Sequence, residues 1–335
     1  MSPRLLDYLA DPNDGGALQL HAFQGTSDQT REGILLNPQS GRWYPIREGI
    51  PALFADALRV GAMADDDAAF AVKFEKPLRE AGCEPATSIS SKTASNAASM
   101  NGVMASALSD PGPRGSDFAR MESERQARDA QAEDYDRMAS LRIYERIETP
   151  AYRRAFNDFS PPASAALPIL EAGCGTGRFS GLFSELGSEV VAVDLSRDSI
   201  ERNRVRHAGK TISPVHYVHA DLTHLPLKTA VFGRVAHCGV YEHIPSRTMR
   251  LQFLEHAHRS LRPDGTLLLS AYRYGGLTRL FGKEGEHAGG IPFTRFTQAE
   301  LRAEVEPLFE IEKFRASLGV YMSMLVAKPR RQQQR

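Results

Sequence analysis

The stretch that most constrains this chain is PILEAGCGTGRFSGLFSELG, residues 168–187. An apolar run ends at Glu171 and glycines follow at 173, 175 and 177. Phe179, Leu182, Phe183 and Leu186 then recur at helical spacing. Glycine at alternate positions lets the backbone turn sharply and lets a ligand lie against it with no Cβ in the way. Such a loop also leads to a helix N-terminus, where free N–H groups point outward. The pattern is E-x-G-x-G-x-G. The dinucleotide spacing G-x-G-x-x-G fails in both registers, because its third glycine would fall on Arg178 or on Ser180. A sharp strand–helix turn with no ligand is the competing explanation for the loop alone.

Its neighbours favour a ligand. In VVAVDLS, Asp194 ends the next β-run, 21 residues after Gly173, where a carboxylate can accept both hydroxyls of a ribose. In VHADLTHLP, Asp221 ends the run after that and suits the amino group of an adenine, with Leu222 beside it. Each acid alone could be a helix cap. Three such signals at the carboxyl ends of successive strands mark the edge where open α/β sheets bind ligands. From residue 167 onward strands and helices alternate, which predicts a parallel sheet with helices on both faces. The end differs: a helix opening at Thr297, with Glu300 completing a capping box, precedes two strands joined by a turn around Gly319.

Residues from about 130 to 328 resemble a class I S-adenosylmethionine-dependent methyltransferase. The resemblance rests on LEAGCGTGRFS, VVAVDLS, HADLTHLPL, CGVYEHIP, LRPDGTLLLSAY and the terminal strand pair. It implies a seven-stranded Rossmann-like α/β sheet of order 3-2-1-4-5-7-6, with S-adenosylmethionine as cofactor and S-adenosylhomocysteine as product. It also implies cofactor contacts from Glu171, Gly173, Cys174, Gly175, Gly177, Asp194, Leu195, Asp221, Leu222 and Cys238. EDYD resembles the helix that closes over the cofactor in many members, which makes Tyr135 a further contact. Where many members have Phe-Asp before the fourth strand, this chain has VFGRV, with Gly233 and Arg234.

Methyl transfer from a sulfonium is an in-line displacement, so the protein mainly positions the nucleophile and removes its proton where needed. His243, just beyond the fourth strand, is the candidate base, since an imidazole pKa of roughly 6.5 suits proton removal near neutrality. Packing or orienting the loop is the alternative role for it. Tyr241, Tyr272, Tyr274 and His287 are candidates for the acceptor pocket, with His287 as second choice for the base.

The chain opens with LLDYLADPNDGGALQL and then LLNPQSGRWYPIREGIPALF. This resembles the small zinc-ribbon family that activates methyltransferases and that also occurs fused to them. Here Asp11-Pro12-Asn13-Asp14 and Asn37-Pro38-Gln39-Ser40 replace the cysteine knuckles, while GRWYPIREGIP is retained. Zinc ribbons depend on thiolates, so no metal is expected. A core this small is marginal alone and should pack on the larger domain or on a second subunit, which leaves room for a homodimer.

The expected division is 1–58 for the ribbon, 59–116 for a flexible linker or flap, 117–160 for helices covering the cofactor site, 161–328 for the methyltransferase domain and 329–335 for a basic tail. Lys+Arg and Asp+Glu are equal at 41 each, and the three cysteines are scattered. Zero net charge gives no overall pull toward nucleic acid or membrane, although a local patch stays open. No run approaches the roughly 18 apolar residues of a membrane span. A soluble, cytoplasmic enzyme with a small-molecule acceptor is expected, with no specific nucleic acid and no membrane. An RNA methyltransferase, a non-methylating S-adenosylmethionine enzyme such as an internal cyclase, and a non-catalytic cofactor-binding partner are the alternatives.

Overall fold

The computed structural model describes residues 1–83, 122–130, 149–156, 167–186, 188–210, 213–287, 290–317 and 321–331. An antiparallel sheet comes first: β1 (Gln19–Gly25), β2 (Thr30–Leu36), β3 (Trp43–Arg47) and β4 (Ile50–Pro51), in that spatial order. Glu48 and Gly49 both take positive φ in the turn between β3 and β4, which a tight hairpin of this hand requires. Helices α1 (Ala62–Lys73) and α2 (Glu75–Glu80) follow. Phe70, Phe74 and Leu78 recur every fourth residue and pack on Ile34, Leu36 and Trp43. The expected linker therefore does not begin at residue 59, because this apolar stripe buries itself on the sheet. The low-aromatic centre of that segment, with Tyr135 and the helix pattern around it, lies outside the described residues.

Residues 122–130 (α3) and 149–156 (α4) are helical, with Pro150 inside α4. The larger body then runs β5 (Ile169–Ala172), α5 (Ser180–Ser184), β6 (Val190–Asp194), α6 (Arg197–His207), β7 (Val215–His219) and β8 (Phe232–Cys238). It continues with α7 (Arg247–Ser260), β9 (Leu261–Tyr272), β10 (Glu284–His287), β11 (Ile291–Thr294), α8 (Gln298–Val305), β12 (Phe309–Ser317) and β13 (Met322–Pro329). Seven strands form one sheet of order β12-β13-β9-β8-β5-β6-β7. Counted within the sheet, that is 3-2-1-4-5-7-6 read from β7, the order expected. Strands β9, β8, β5, β6 and β7 are parallel, while β13 pairs antiparallel with both β9 and β12. The capping box at Thr297 and Glu300 is present. The turn around Gly319 lies outside the described residues.

Strand alternation sorts the core by face. Leu170, Ala172, Val191 and Val193 pack with Phe253 and Leu254 of α7, whereas Ile169, Val190 and Ala192 pack with Phe156, Phe183 and Ile200. The first of these cores also contains Leu5, Leu9, Tyr44, Ile46 and Leu53 of the N-terminal body. Backbone bonds join the two bodies: Leu53 N donates to the His219 carbonyl, Ala10 N to that of Pro226, and Lys228 N to that of Tyr8, all at 2.9 Å. The small sheet borrows its core from the large one.

Where cysteine knuckles would stand, hydrogen bonds hold the two turns together. Asn37 Nδ2 donates to Asp11 Oδ2 at 2.8 Å and to Asp14 Oδ1 at 3.1 Å. Asn37 Oδ1 accepts from the backbone N of Gln39 at 3.0 Å and of Ser40 at 3.3 Å. The Tyr44 hydroxyl donates to Asp11 Oδ1 at 2.9 Å, and Arg42 bridges Asp14 to Asp56. Among the described residues, no group of three or more His, Cys, Asp or Glu side chains is arranged to hold a metal ion.

Candidate cofactor and acceptor site

Parallel pairing aligns the carboxyl ends of β5, β6, β7, β8 and β9, placing Ala172 beside Val193, Asp194 beside His219 and Cys238 beside Ser270. The glycine loop crosses this edge. Gly173 and Gly177 have φ of +82° and +87°, and a Cβ on them would strike Val240 and Asn203 at 2.5 and 2.3 Å. Both must therefore be glycine for the fold itself. Gly175 differs, since at φ +48° its missing Cβ would meet nothing within 4 Å. It faces open space.

A buried polar network supports the loop from beneath. Ser180 Oγ donates to Glu171 Oε2 at 2.5 Å and accepts from Asn203 Nδ2 at 2.8 Å, while the Tyr217 hydroxyl donates to Asn203 Oδ1 at 3.2 Å. Burial pushes the Glu171 carboxyl up to about 8, so it is mainly protonated near neutrality. Burial also raises the Cys174 thiol, which removes it as a nucleophile and leaves it as backbone and packing.

Asp194 accepts the Gly175 N–H at Oδ2 (2.7 Å) and the Ser196 N–H at Oδ1 (2.9 Å). A carboxylate has about four acceptor positions, and the backbone of Leu195 also acts on this one, so capacity for a further hydroxyl remains. Burial raises the Asp194 pKa, and further donors would offset that cost. Asp221 accepts from the Thr223 N–H at 2.7 Å and caps the turn at Leu222–His224, with Leu222 buried beside it. Leu195 gives its carbonyl to His219 Nε2 at 3.0 Å. Helix α3 adjoins this edge, as Ser196 Oγ donates to Asp129 Oδ1 at 2.6 Å. Arg128 of α3 pairs with Glu124 at 2.8 Å, and its charge acts on Asp194, His243 and His287.

Beyond β8 and β9 lies an aromatic cluster. His243 lies 5.4 Å from His287 and 6.1 Å from Tyr272, ring centre to ring centre, while Tyr272 lies 5.3 Å from Phe293. The Tyr272 hydroxyl and His287 Nε2 are 3.3 Å apart. His243 Nδ1 donates to the Pro292 carbonyl at 2.9 Å, which fixes the tautomer with the lone pair on Nε2. Burial, helped by Arg128, holds His243 well below the ordinary imidazole range, so it is neutral at pH 7.

Apart from Tyr135, which lies outside the described residues, and Glu171, which is buried beneath the loop, the expected cofactor residues lie along one edge, with Cys238 half-buried at the end of β8. His243, Tyr272 and His287 meet as a cluster. Tyr241 does not line it: the ring is fully buried and its hydroxyl donates to Glu304 at 2.6 Å, within a knot that includes Arg250. The GVYEHIP turn sends Tyr241 inward and His243 toward the edge. Tyr274 is half-buried and held by its backbone to Phe296 at 2.7 Å, outside the ring cluster. Sequence reasoning missed Asn203, Arg128 and Phe293. Only Phe293 had a signal, since it lies six residues after His287, already a candidate for the acceptor pocket.

Residues 170–269 match the family model described as a methyltransferase domain. Malonyl-[acyl-carrier protein] O-methyltransferase of Salmonella typhimurium is 32% identical over 118 residues, covering 33% of this chain and 41% of that protein. A probable S-adenosylmethionine-dependent methyltransferase of Mycolicibacterium smegmatis is 29% identical over 160 residues, covering 47% and 56%. The chain spans between 24% and 56% of the length of the curated relatives it matches. In fold it is similar to the Burkholderia thailandensis 1,6-didemethyltoxoflavin-N1-methyltransferase, solved with its acceptor and S-adenosylhomocysteine. That structure superposes with a TM-score of 0.50 at 20% identity, over 67% of this chain and 94% of that one. Gly175 opening on free space and the unspent acceptor capacity of Asp194 both fit S-adenosylmethionine. The chain therefore carries a methyltransferase domain on the class I fold, and the cofactor of that domain is S-adenosylmethionine.

Proposed function

We propose that this protein transfers a methyl group from S-adenosylmethionine to a small-molecule acceptor, with His243 as the base. The observation that carries the proposal is the bond from His243 Nδ1 to the Pro292 carbonyl, made within an aromatic cluster beyond the carboxyl ends of β8 and β9. That bond presents a neutral imidazole with its Nε2 lone pair available, the state a general base needs before reaction. When bound, the cofactor supplies an activated methyl group on a sulfonium. Asp194 would hold the ribose hydroxyls, Asp221 the adenine amino group, and the loop at Gly173 and Gly175 the methionine end. Glu171 and Asn203 fix that loop from below.

The clustered rings of Tyr272, Phe293, His243 and His287 would serve as one wall against which a planar or conjugated acceptor lies. Among the relatives, one is named for a malonyl group on an acyl-carrier protein and a solved neighbour for a toxoflavin precursor. The aromatic wall favours the second kind of acceptor. Balanced charge argues against RNA, whose binding needs a stripe of cations to neutralise phosphates. The test is to incubate the enzyme with S-adenosylmethionine and a panel of small acceptors. A product heavier by one methylene, formed with S-adenosylhomocysteine and lost in His243→Ala, supports the proposal. Cofactor binding with no product from any acceptor class would refute it.

A further inference from the structure

Seven large apolar side chains are exposed among the described residues, and three of them fall within five positions. Leu277, Leu280 and Phe281 stand 63%, 78% and 70% exposed on the short helical turn Gly276–Phe281, between β9 and β10. Soluble surfaces usually scatter such side chains singly, and a contiguous group marks a contact surface. The turn is held from beneath. Thr278 is buried, donates to the Arg273 carbonyl at 2.8 Å and accepts the Gly275 N–H at 2.8 Å. Arg295 Nη1 also donates to the Gly282 carbonyl at 3.0 Å. With Thr278 facing in, the two leucines and Phe281 face out.

The surroundings are basic. Residues 273–295 carry Arg273, Arg279, Lys283 and Arg295 against Glu284 and Glu286, and Lys283 is paired with Glu300. Apolar tips on a segment with a small excess of cations match an anionic lipid surface, which takes the tips at the acyl boundary and Arg273, Arg279 and Arg295 at its phosphates. The zero net charge of the whole chain does not oppose this, because the excess is local. The same segment also builds the acceptor site. The chain leaves Tyr272, forms the exposed turn, and returns to His287 and Phe293, whose rings lie 5.7 and 5.3 Å from that of Tyr272.

We propose that Leu277, Leu280 and Phe281 form a wedge that docks the protein on an anionic lipid surface. It follows, resting on the methyl transfer proposed above, that the acceptor is an amphipathic molecule dissolved in that surface.

The full chain is sedimented with vesicles of phosphatidylcholine alone and of phosphatidylcholine mixed with phosphatidylglycerol. The wild type should bind the anionic vesicles, more weakly as salt rises. The double variant Leu280→Ser, Phe281→Ser should bind them less tightly by roughly tenfold for each side chain lost from the acyl boundary. Calorimetry with S-adenosylmethionine and light scattering on the same samples establish that the variant is folded and report its oligomeric state. Absence of binding to anionic vesicles, equal binding by the double variant, or a dimer that dissociates on substitution would each overturn the proposal, the last by assigning the wedge to a second copy. None of these readouts uses turnover, so failure of methyl transfer and failure of lipid docking are distinguishable.

Discussion

Ser196 donates its hydroxyl to Asp129 Oδ1 at 2.6 Å while accepting the backbone N–H of Ser199 at 3.1 Å. The residue that caps α6, two positions after Asp194, thereby also ties down α3. The helix carrying Arg128 and Glu124 is thus fastened at the strand end where the ribose is expected.

Asp129→Ala removes that tie and leaves the cap intact. Amide hydrogen exchange in residues 122–130 should accelerate, and S-adenosylmethionine affinity should fall by about tenfold, the worth of one charge-assisted bond. Unchanged exchange would show that α3 is held by other contacts.

Asp194→Ala should weaken cofactor binding by roughly 10- to 150-fold, corresponding to about 1.5–3 kcal/mol for bonds to a charged acceptor. Calorimetry on the folded variant is the measurement. Wild-type affinity would remove Asp194 from the cofactor site.

His243→Ala should lower the methyl-transfer rate by roughly 100-fold or more with cofactor affinity unchanged. Because burial and Arg128 depress its pKa, the wild-type rate should stay level from pH 8 down to pH 6.5 and decline only at lower pH. A rate that halves near pH 6.5 would identify a solvated imidazole instead.

Glu171 has a folded-state pKa raised by burial to about 8, against 4.5 when exposed. Between those values the unfolded chain has released a proton that the folded chain keeps, so this group subtracts stability as pH rises through that window. Glu171→Gln keeps a partner for Ser180 without the charge. It should stabilise the protein on the order of a few kcal/mol at pH 8 and much less at pH 4.5, as read by urea unfolding. An equal effect at both pH values would mean that the carboxyl is not protonated in the fold.

Asn37→Ala should cost about 2–4 kcal/mol, since it strips donors from two carboxylates and an acceptor from two backbone N–H groups. Chelators should leave the melting temperature of the wild type unchanged. A drop on chelation would place a metal between the turns at Asp11 and Asn37.

The alternation of strands and helices was legible because it rests on local chemistry: glycines in a short loop, acids at strand ends, and a capping box; the sheet order came only through the resemblance to class I methyltransferases. The Asn37 knot was not. Its partners are 23 and 26 residues away, and nothing local says that an asparagine amide will bridge two aspartates. Tyr241 and His243 show the same limit at close range. They are two residues apart in one turn, yet one hydroxyl is drawn inward by Glu304, 63 residues on. Phe70, Phe74 and Leu78 fell in a segment expected to be a linker, because the surface that buries them is built by Ile34, Leu36 and Trp43, well before them in the chain.

The knuckle sequence also governs how this protein ages. An asparagine deamidates when the backbone nitrogen of the next residue attacks its side-chain amide. Conversion of Asn37 to aspartate would set three carboxylates against one another with no amide to join them. The next residue is Pro38, whose ring nitrogen carries no hydrogen and cannot close that cyclic imide. The amide that fastens the two turns is therefore shielded from spontaneous loss by its own neighbour.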